Sequence, residues 1–118
     1  MKDLYSFHAT EEDLEEFYDK VKGSYERIYE ELGLGEITFL TFASGGVFSK
    51  FSHEFQTICS TGEDVVYLDR DKKLAINKEV MTDDVLQELG LKRENLEEVR
   101  TIEVGNIFKL MTRFSEPL

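Results

Sequence analysis

FSHEFQTICSTGEDVVYLD, residues 51–69, decides the kind of domain this is. Two runs rich in aromatic and β-branched residues flank STGED at 60–64, a cluster of turn formers. That is strand, turn, strand. In the first run His53 and Phe55 fall on one face and Ser52 and Glu54 on the other, by the two-residue repeat of a strand. Upstream, ITFLTFA (37–43) is another apolar β-rich run, broken by SGG at 44–46. Downstream, RDKK (70–73) turns the chain into LAI (74–76). Residues 36–76 therefore read as strands and turns throughout.

The flanks differ. Tyr5 and Phe7 alternate with Ser6 and His8, which predicts a short strand over MKDLYSF. Thr10 then suits an N-cap, and Glu11, Glu12 and Asp13 suit a first helical turn. Leu14, Phe17, Tyr18, Val21, Tyr25, Ile28 and Leu32 recur at three- and four-residue steps, predicting a helix over 11–32 with one apolar stripe. Gly33 followed by Leu34 supplies the stop. Thr82 caps a short helix carrying Val85, Leu86 and Leu89, ended by Gly90. ENLEEV leads into RTIEVGNIFKLMTRF, which reads as two strands around Gly105. The expected class is α+β: a mostly antiparallel sheet with one long and one short helix.

The chain has 118 residues, enough for one domain, and 41% are apolar. With 25 acids against 14 bases the net charge is −11. Such a chain lacks the clustered cations that bind nucleic acid, so tight tRNA binding by these residues alone is not expected. No apolar run approaches the ~20 residues of a membrane span, and the cytoplasm is the expected location. Cys59 is the only cysteine, which excludes an internal disulfide and a cysteine-based zinc site.

Residue types that carry chemistry have plain readings too. His53, on a strand face shared with Phe55, reads as a packed or hydrogen-bonded histidine. His8, just before a helix, reads as a local hydrogen-bonding residue. The two histidines have no metal-ligand spacing, and no metal residue is assigned. SGG is too short for a phosphate loop. The acids of the first helix read as a solvated face, with Glu12, Glu15 and Glu16 able to pair with neighbours such as Lys20 at helical spacing. Spacing alone leaves the function open.

Whole phrases say more. MKDLYSFHATEEDLEEFYDKV, SHEFQTICSTGEDVVYLD and IEVGNIFKLMTRFSEP occur in that order. Together they resemble the catalytic domain of prolyl-tRNA synthetases, which are class II aminoacyl-tRNA synthetases. The resemblance implies that residues 1–118 are a partial catalytic domain, from the second strand of motif 2 to just before motif 3. Motif 1, the motif 2 arginine lead-in, motif 3 and the anticodon-binding domain would lie elsewhere. Residues 78–98 form a short connection where many bacterial members insert an editing domain.

The family activates proline with ATP and Mg2+ and transfers it to tRNA(Pro). By position, Met1, Asp3, Tyr5, His53 and Thr112 resemble substrate-binding residues, and Glu103 and Lys109 resemble residues near the nucleotide. None is assigned as catalytic. Met1 and Tyr5 would offer an apolar wall to the pyrrolidine ring, Asp3 an acceptor for its ammonium. The sequence departs from the family at Asn106, often histidine, at Lys109, often glutamine, and at Met111, usually glycine. FSKF (48–51) stands where relatives often have a glycine pair.

Two functions follow as expectations. In the first, the chain is part of a synthetase, inactive alone, and works with a complementing chain. In the second, it is a free-standing synthetase-like binding or regulatory module without catalysis. Self-association through MKDLYSF and IFKLMTRF is also expected, because both strands would be left as unpaired edges.

Overall fold

The computed structural model describes residues 2–45 and 51–117. Met1 and most of the FSKF phrase lie outside the described residues.

The long helix α1 spans Glu11–Glu31. Thr10 accepts a hydrogen bond from the Asp13 backbone N–H at 3.1 Å, and the three acids of the first turn face the positive end of the helix dipole. Gly33 takes φ +78°, and the Leu34 N–H donates to the Tyr29 carbonyl at 2.8 Å, the αL stop the sequence predicts. The short helix α2, Asp83–Leu89, repeats this grammar with Thr82 as N-cap and Gly90 in the left-handed region.

Five strands follow the expected runs: β1 Thr38–Ser44, β2 Phe51–Ile58, β3 Asp64–Asp69, β4 Leu74–Asn77 and β5 Glu97–Ile107. They close into a barrel in the order β1-β2-β5-β3-β4. Neighbours are antiparallel except β4 and β1, which run parallel with Leu40 opposite Leu74. The α+β class with two helices is as expected. The ring and its parallel seam are corrections: the sequence reading left sheet edges open.

A small barrel has room only for side chains. Phe39, Val66, Leu68 and Ala75 fill it, with Ile58 and Val99 packed against them. Outside, α2 and the chain after it bring Leu86 and Leu91 onto Ile76, flanked by Phe42 and Tyr67. On the opposite flank α1 crosses β2 and β5. Phe55, 2% exposed, meets the rings of Tyr25 and Tyr29 at 5.2 and 5.4 Å. The Tyr29 hydroxyl donates to the Val104 carbonyl at 2.8 Å.

That contact explains Gly105. A Cβ there would sit 2.4 Å from the Tyr29 hydroxyl, so the helix can lie this close only over a glycine. β5 runs through Gly105 as one strand, not two. Instead of breaking, it bulges: Phe55 pairs with Gly105 but Gln56 pairs with Glu103, leaving Val104 extra.

Two expected strands are absent from the sheet. Residues 2–8 have no ladder pairing; they run beside α1, with the Lys2 ammonium 5.7 Å from the centre of the Tyr25 ring. The β2–β5 ladder ends at His53 and Ile107, and residues 111–117 form turns. Alternation makes a strand only where a neighbouring strand completes the ladder, and among the described residues neither 2–8 nor 108–117 belongs to the sheet.

Candidate functional site

The fold leaves a cleft of about 1080 Å³ between α1, the segment before it and the chain after β5. Its floor is formed by residues of the apolar stripe of α1 from Leu14 to Tyr25. Asp3, Tyr5, Lys109 and Thr112 all line it. Asn106 and Met111 line it as well. Residues remote in sequence, at 2–14 and 106–115, thus share one cavity.

Each wall is fixed by specific bonds. His8 holds the entry to α1, with Nδ1 2.8 Å from Asp13 Oδ2 and Nε2 2.8 Å from Ser6 Oγ. This is the local role its position predicts. Lys109 pairs with Glu15 and lies 5.5 Å from the centre of the Tyr18 ring. Glu15 therefore meets a lysine from the far end of the chain. Met111 holds φ +56°, in the left-handed region that favours glycine. This is the position where the family resemblance leads one to expect glycine.

His53 lies beneath the cleft. Its Nδ1 is 2.7 Å from the Tyr18 hydroxyl, which donates to the Ile107 carbonyl at 3.1 Å. With that proton given to the carbonyl, Nδ1–H donates to Tyr18. The imidazole also meets the Phe42 ring edge-on at 4.9 Å between centroids. Burial, then the charges of Lys22 and Lys109, push its pKa down to about 4, against an opposing pull from Asp19. Burial, with Glu15 and Asp19, pushes Tyr18 up to about 12. Both groups are neutral at pH 7 and act as a fixed polar strut between α1, β2 and β5. Tyr18 was legible in the sequence only as part of the helix stripe; nothing there signalled its partners.

Glu103 lies apart from this cleft. It borders a second, smaller cavity of about 470 Å³ with Asp64, Cys59 and Thr61. Carboxylate oxygens of Glu54, Asp64 and Glu103 lie within 4.8 Å of one another there. Gln56, fully buried, donates from Nε2 to Glu54 at 2.7 Å and to Asp64 at 2.9 Å. Burial raises the Glu54 pKa; the bond from Gln56 opposes this, and Glu103, Asp64 and Glu79 add to the rise. The sequence reading missed this group. Alternation put Glu54 on a face, but the register that brings three strands together has no local signature.

Chemically the main cleft offers aromatic walls, carboxylates at Asp3 and Glu11, ammoniums at Lys2 and Lys109, and hydroxyls that include Thr112. That set suits a small zwitterion with an apolar body. It does not suit a nucleotide triphosphate by itself: Lys109 is paired with Glu15, and Asp3 and Glu11 on the lining add negative charge. Among the described residues, no helix is long and apolar enough to cross a membrane.

No family model matches the chain. Individual proteins do. Over 108 residues, 91% of this chain, it is 37% identical to a proline–tRNA ligase of Nautilia profundicola, covering 19% of that protein. Over 79 residues, 67% of this chain, it is 42% identical to a proline–tRNA ligase of Prochlorococcus marinus, covering 13% of that protein. By sequence, then, this chain is a relative of the prolyl-tRNA synthetases and matches one stretch of them, less than a fifth of the length of these two proteins.

Proposed function

We propose that the chain is part of the class II catalytic domain of a prolyl-tRNA synthetase, and that its main cleft is part of the proline pocket. The observation that carries this reading is 37% identity to a proline–tRNA ligase over 91% of the chain. In the intact enzyme the proline carboxylate attacks the ATP α-phosphate, releasing pyrophosphate, and the tRNA 3′ end then accepts the prolyl group. Asp3 takes the prolyl ammonium, Tyr5 and Met1 bound the ring, and Thr112 lies near the adenylate. His53 braces the pocket floor through Tyr18. By the resemblance Lys109 and Glu103 belong near the nucleotide, Lys109 from within the cleft and Glu103 from the second cavity. ATP and its magnesium rely on arginines of motifs 2 and 3, which the resemblance places outside these 118 residues. Alone, the chain is inactive, since losing even one donor to developing charge costs roughly a hundred- to a thousandfold.

Proline-dependent ATP–pyrophosphate exchange tests this, with the chain alone and with a complementing chain that carries the remaining motifs. We expect no exchange alone and exchange on complementation. Asp3→Asn is expected to raise the KM for proline more than it lowers kcat. Exchange by the chain alone would overturn the claim of inactivity. Absence of both exchange and proline binding in the complemented pair would overturn the synthetase reading and leave a non-catalytic module.

A further inference from the structure

We propose that residues 108–117 are a strap over the main cleft, latched by the pairing of Lys109 with Glu15 and able to lift without unfolding the helix beneath. The inference stands on the geometry of the cleft and not on what the cleft holds, so it does not depend on the proposed function.

The seat of the latch is rigid. Glu15 and Tyr18 lie on α1, and the Tyr18 hydroxyl is fixed between His53 on β2 and the Ile107 carbonyl on β5. The Lys109 ammonium reaches this seat from the other wall, pairing with Glu15 and standing 5.5 Å from the centre of the Tyr18 ring. The strap is tethered differently. The β2–β5 ladder ends at Ile107, and residues 108–117 belong to no strand. Within the strap the Glu116 N–H donates to the Thr112 carbonyl at 3.0 Å, which closes 112–116 into one turn.

Three features set the balance. The Lys109 and Glu15 side chains are 29% and 49% exposed, so water and salt screen the pair and its contribution is small. Met111 opposes it, because its φ of +56° is a conformation that costs any residue with a Cβ. Met111 and Phe114 line the cleft yet stay 54% and 55% exposed, so hydrophobic burial does not lock the strap down. A weak latch, a strained turn and unburied apolar side chains bring the latched and lifted arrangements close in free energy. That is the condition for a lid: it opens locally at little cost, then closes over an apolar ligand that covers Met111 and Phe114. Backbone strain of this kind concentrates at clamps and switches. Among the described residues the other non-glycine residue with positive φ is Lys73, in the turn between β3 and β4.

Limited trypsin digestion of the full chain tests the latch, because native-state cleavage follows the population of the locally open form. The rate of cleavage after Arg113 is read by mass spectrometry and divided by the rate on a free peptide of residues 106–118 carrying the same substitution. Cleavage after Lys20, Lys22 and Arg27 reports α1. We expect Glu15→Gln and Lys109→Gln each to speed cleavage after Arg113 about twofold to fivefold, with α1 unchanged and the double variant no faster than the singles. Raising salt from about 0.05 to 0.5 M should speed it in the wild type and not in these variants. Met111→Gly, which relieves the turn, should slow it, and Glu16→Gln should leave it unchanged. Equal rates in wild type and Glu15→Gln, or a wild-type rate indifferent to salt, would overturn the latch. Faster cleavage that spreads to α1 would show the pair to be general packing of the helix and would overturn it too.

Discussion

A single imidazole ties α1 to the barrel, and its chemistry is readable from pH. His53 is held neutral, with its pKa lowered from 6.5 to about 4 chiefly by burial. The unfolded chain therefore binds more protons than the folded one between those values. The stabilisation is complete above pH 6.5 and is lost as pH falls toward 4. The groups facing the ring from α1 and the chain after β5 are Lys22, Lys109 and Asp19, and the first two strengthen this trend. Comparing wild type with His53→Gln by urea unfolding at pH 7 and pH 5, we expect the wild type to lose about 1 kcal/mol relative to the variant, a value reduced for solvent screening. Equal pH dependence in the two proteins would refute the neutral strut. The sequence placed His53 beside Phe55 on one strand face and suggested a packing role. It could not show Tyr18, which lies 35 positions away, because such a contact follows from how α1 lies on the sheet.

At the scale of elements, the decisive contact is α1 against the bulge of β5. Gly105→Ala would drive a methyl into the Tyr29 hydroxyl. Overpacking of this kind costs roughly 1–3 kcal/mol. Tyr29→Phe removes the obstructing oxygen along with its bond to Val104, so the double variant should be less destabilised than the sum of the two single changes. Additive losses in denaturant unfolding would show that the helix does not need the glycine. Here the sequence was partly legible. Helix α1 with both caps, helix α2 and strands β1 to β4 announced themselves through periodicity and turn residues. Gly105 was legible as an interruption but was read as a break between strands, since a bulge and a break share the same residue. MKDLYSF and IFKLMTRF alternate as strands do, yet pairing is a tertiary fact, and among the described residues only Ile107 of these two segments joins the ladder.

For the whole molecule, these corrections move the surface on which self-association is expected. Among the described residues, the closed ring leaves no strand at an open sheet edge of the kind that templates further pairing. Among the most exposed apolar side chains are aromatics that line the cleft: Tyr5 at 71%, Phe7 at 70% and Phe114 at 55%. Exposed apolar patches commonly mark interfaces, so we still expect self-association, through this cleft face and not through strand edges. Sedimentation over a range of micromolar concentrations should show a reversible dimer, shifted to monomer by Tyr5→Ser combined with Phe7→Ser. A species that stays monomeric throughout would refute it. The net charge of −11 holds the process short of aggregation. Spacing and periodicity did not show the cleft, because its walls come from distant parts of the sequence; only the family resemblance grouped Asp3, Tyr5, Lys109 and Thr112, which line it.

The parallel seam between β1 and β4 sets the order in which this molecule can be made. Leu40 meets Leu74, and Phe55 meets Gly105. β1 and β2, or β3 and β4, are neighbours in sequence and can meet early. The ring cannot close until β5 has arrived from beyond α2, and the entropy of that long loop is lost before its hydrogen bonds are gained. Two local hairpins wait on one late strand, and that same strand carries the glycine over which α1 settles.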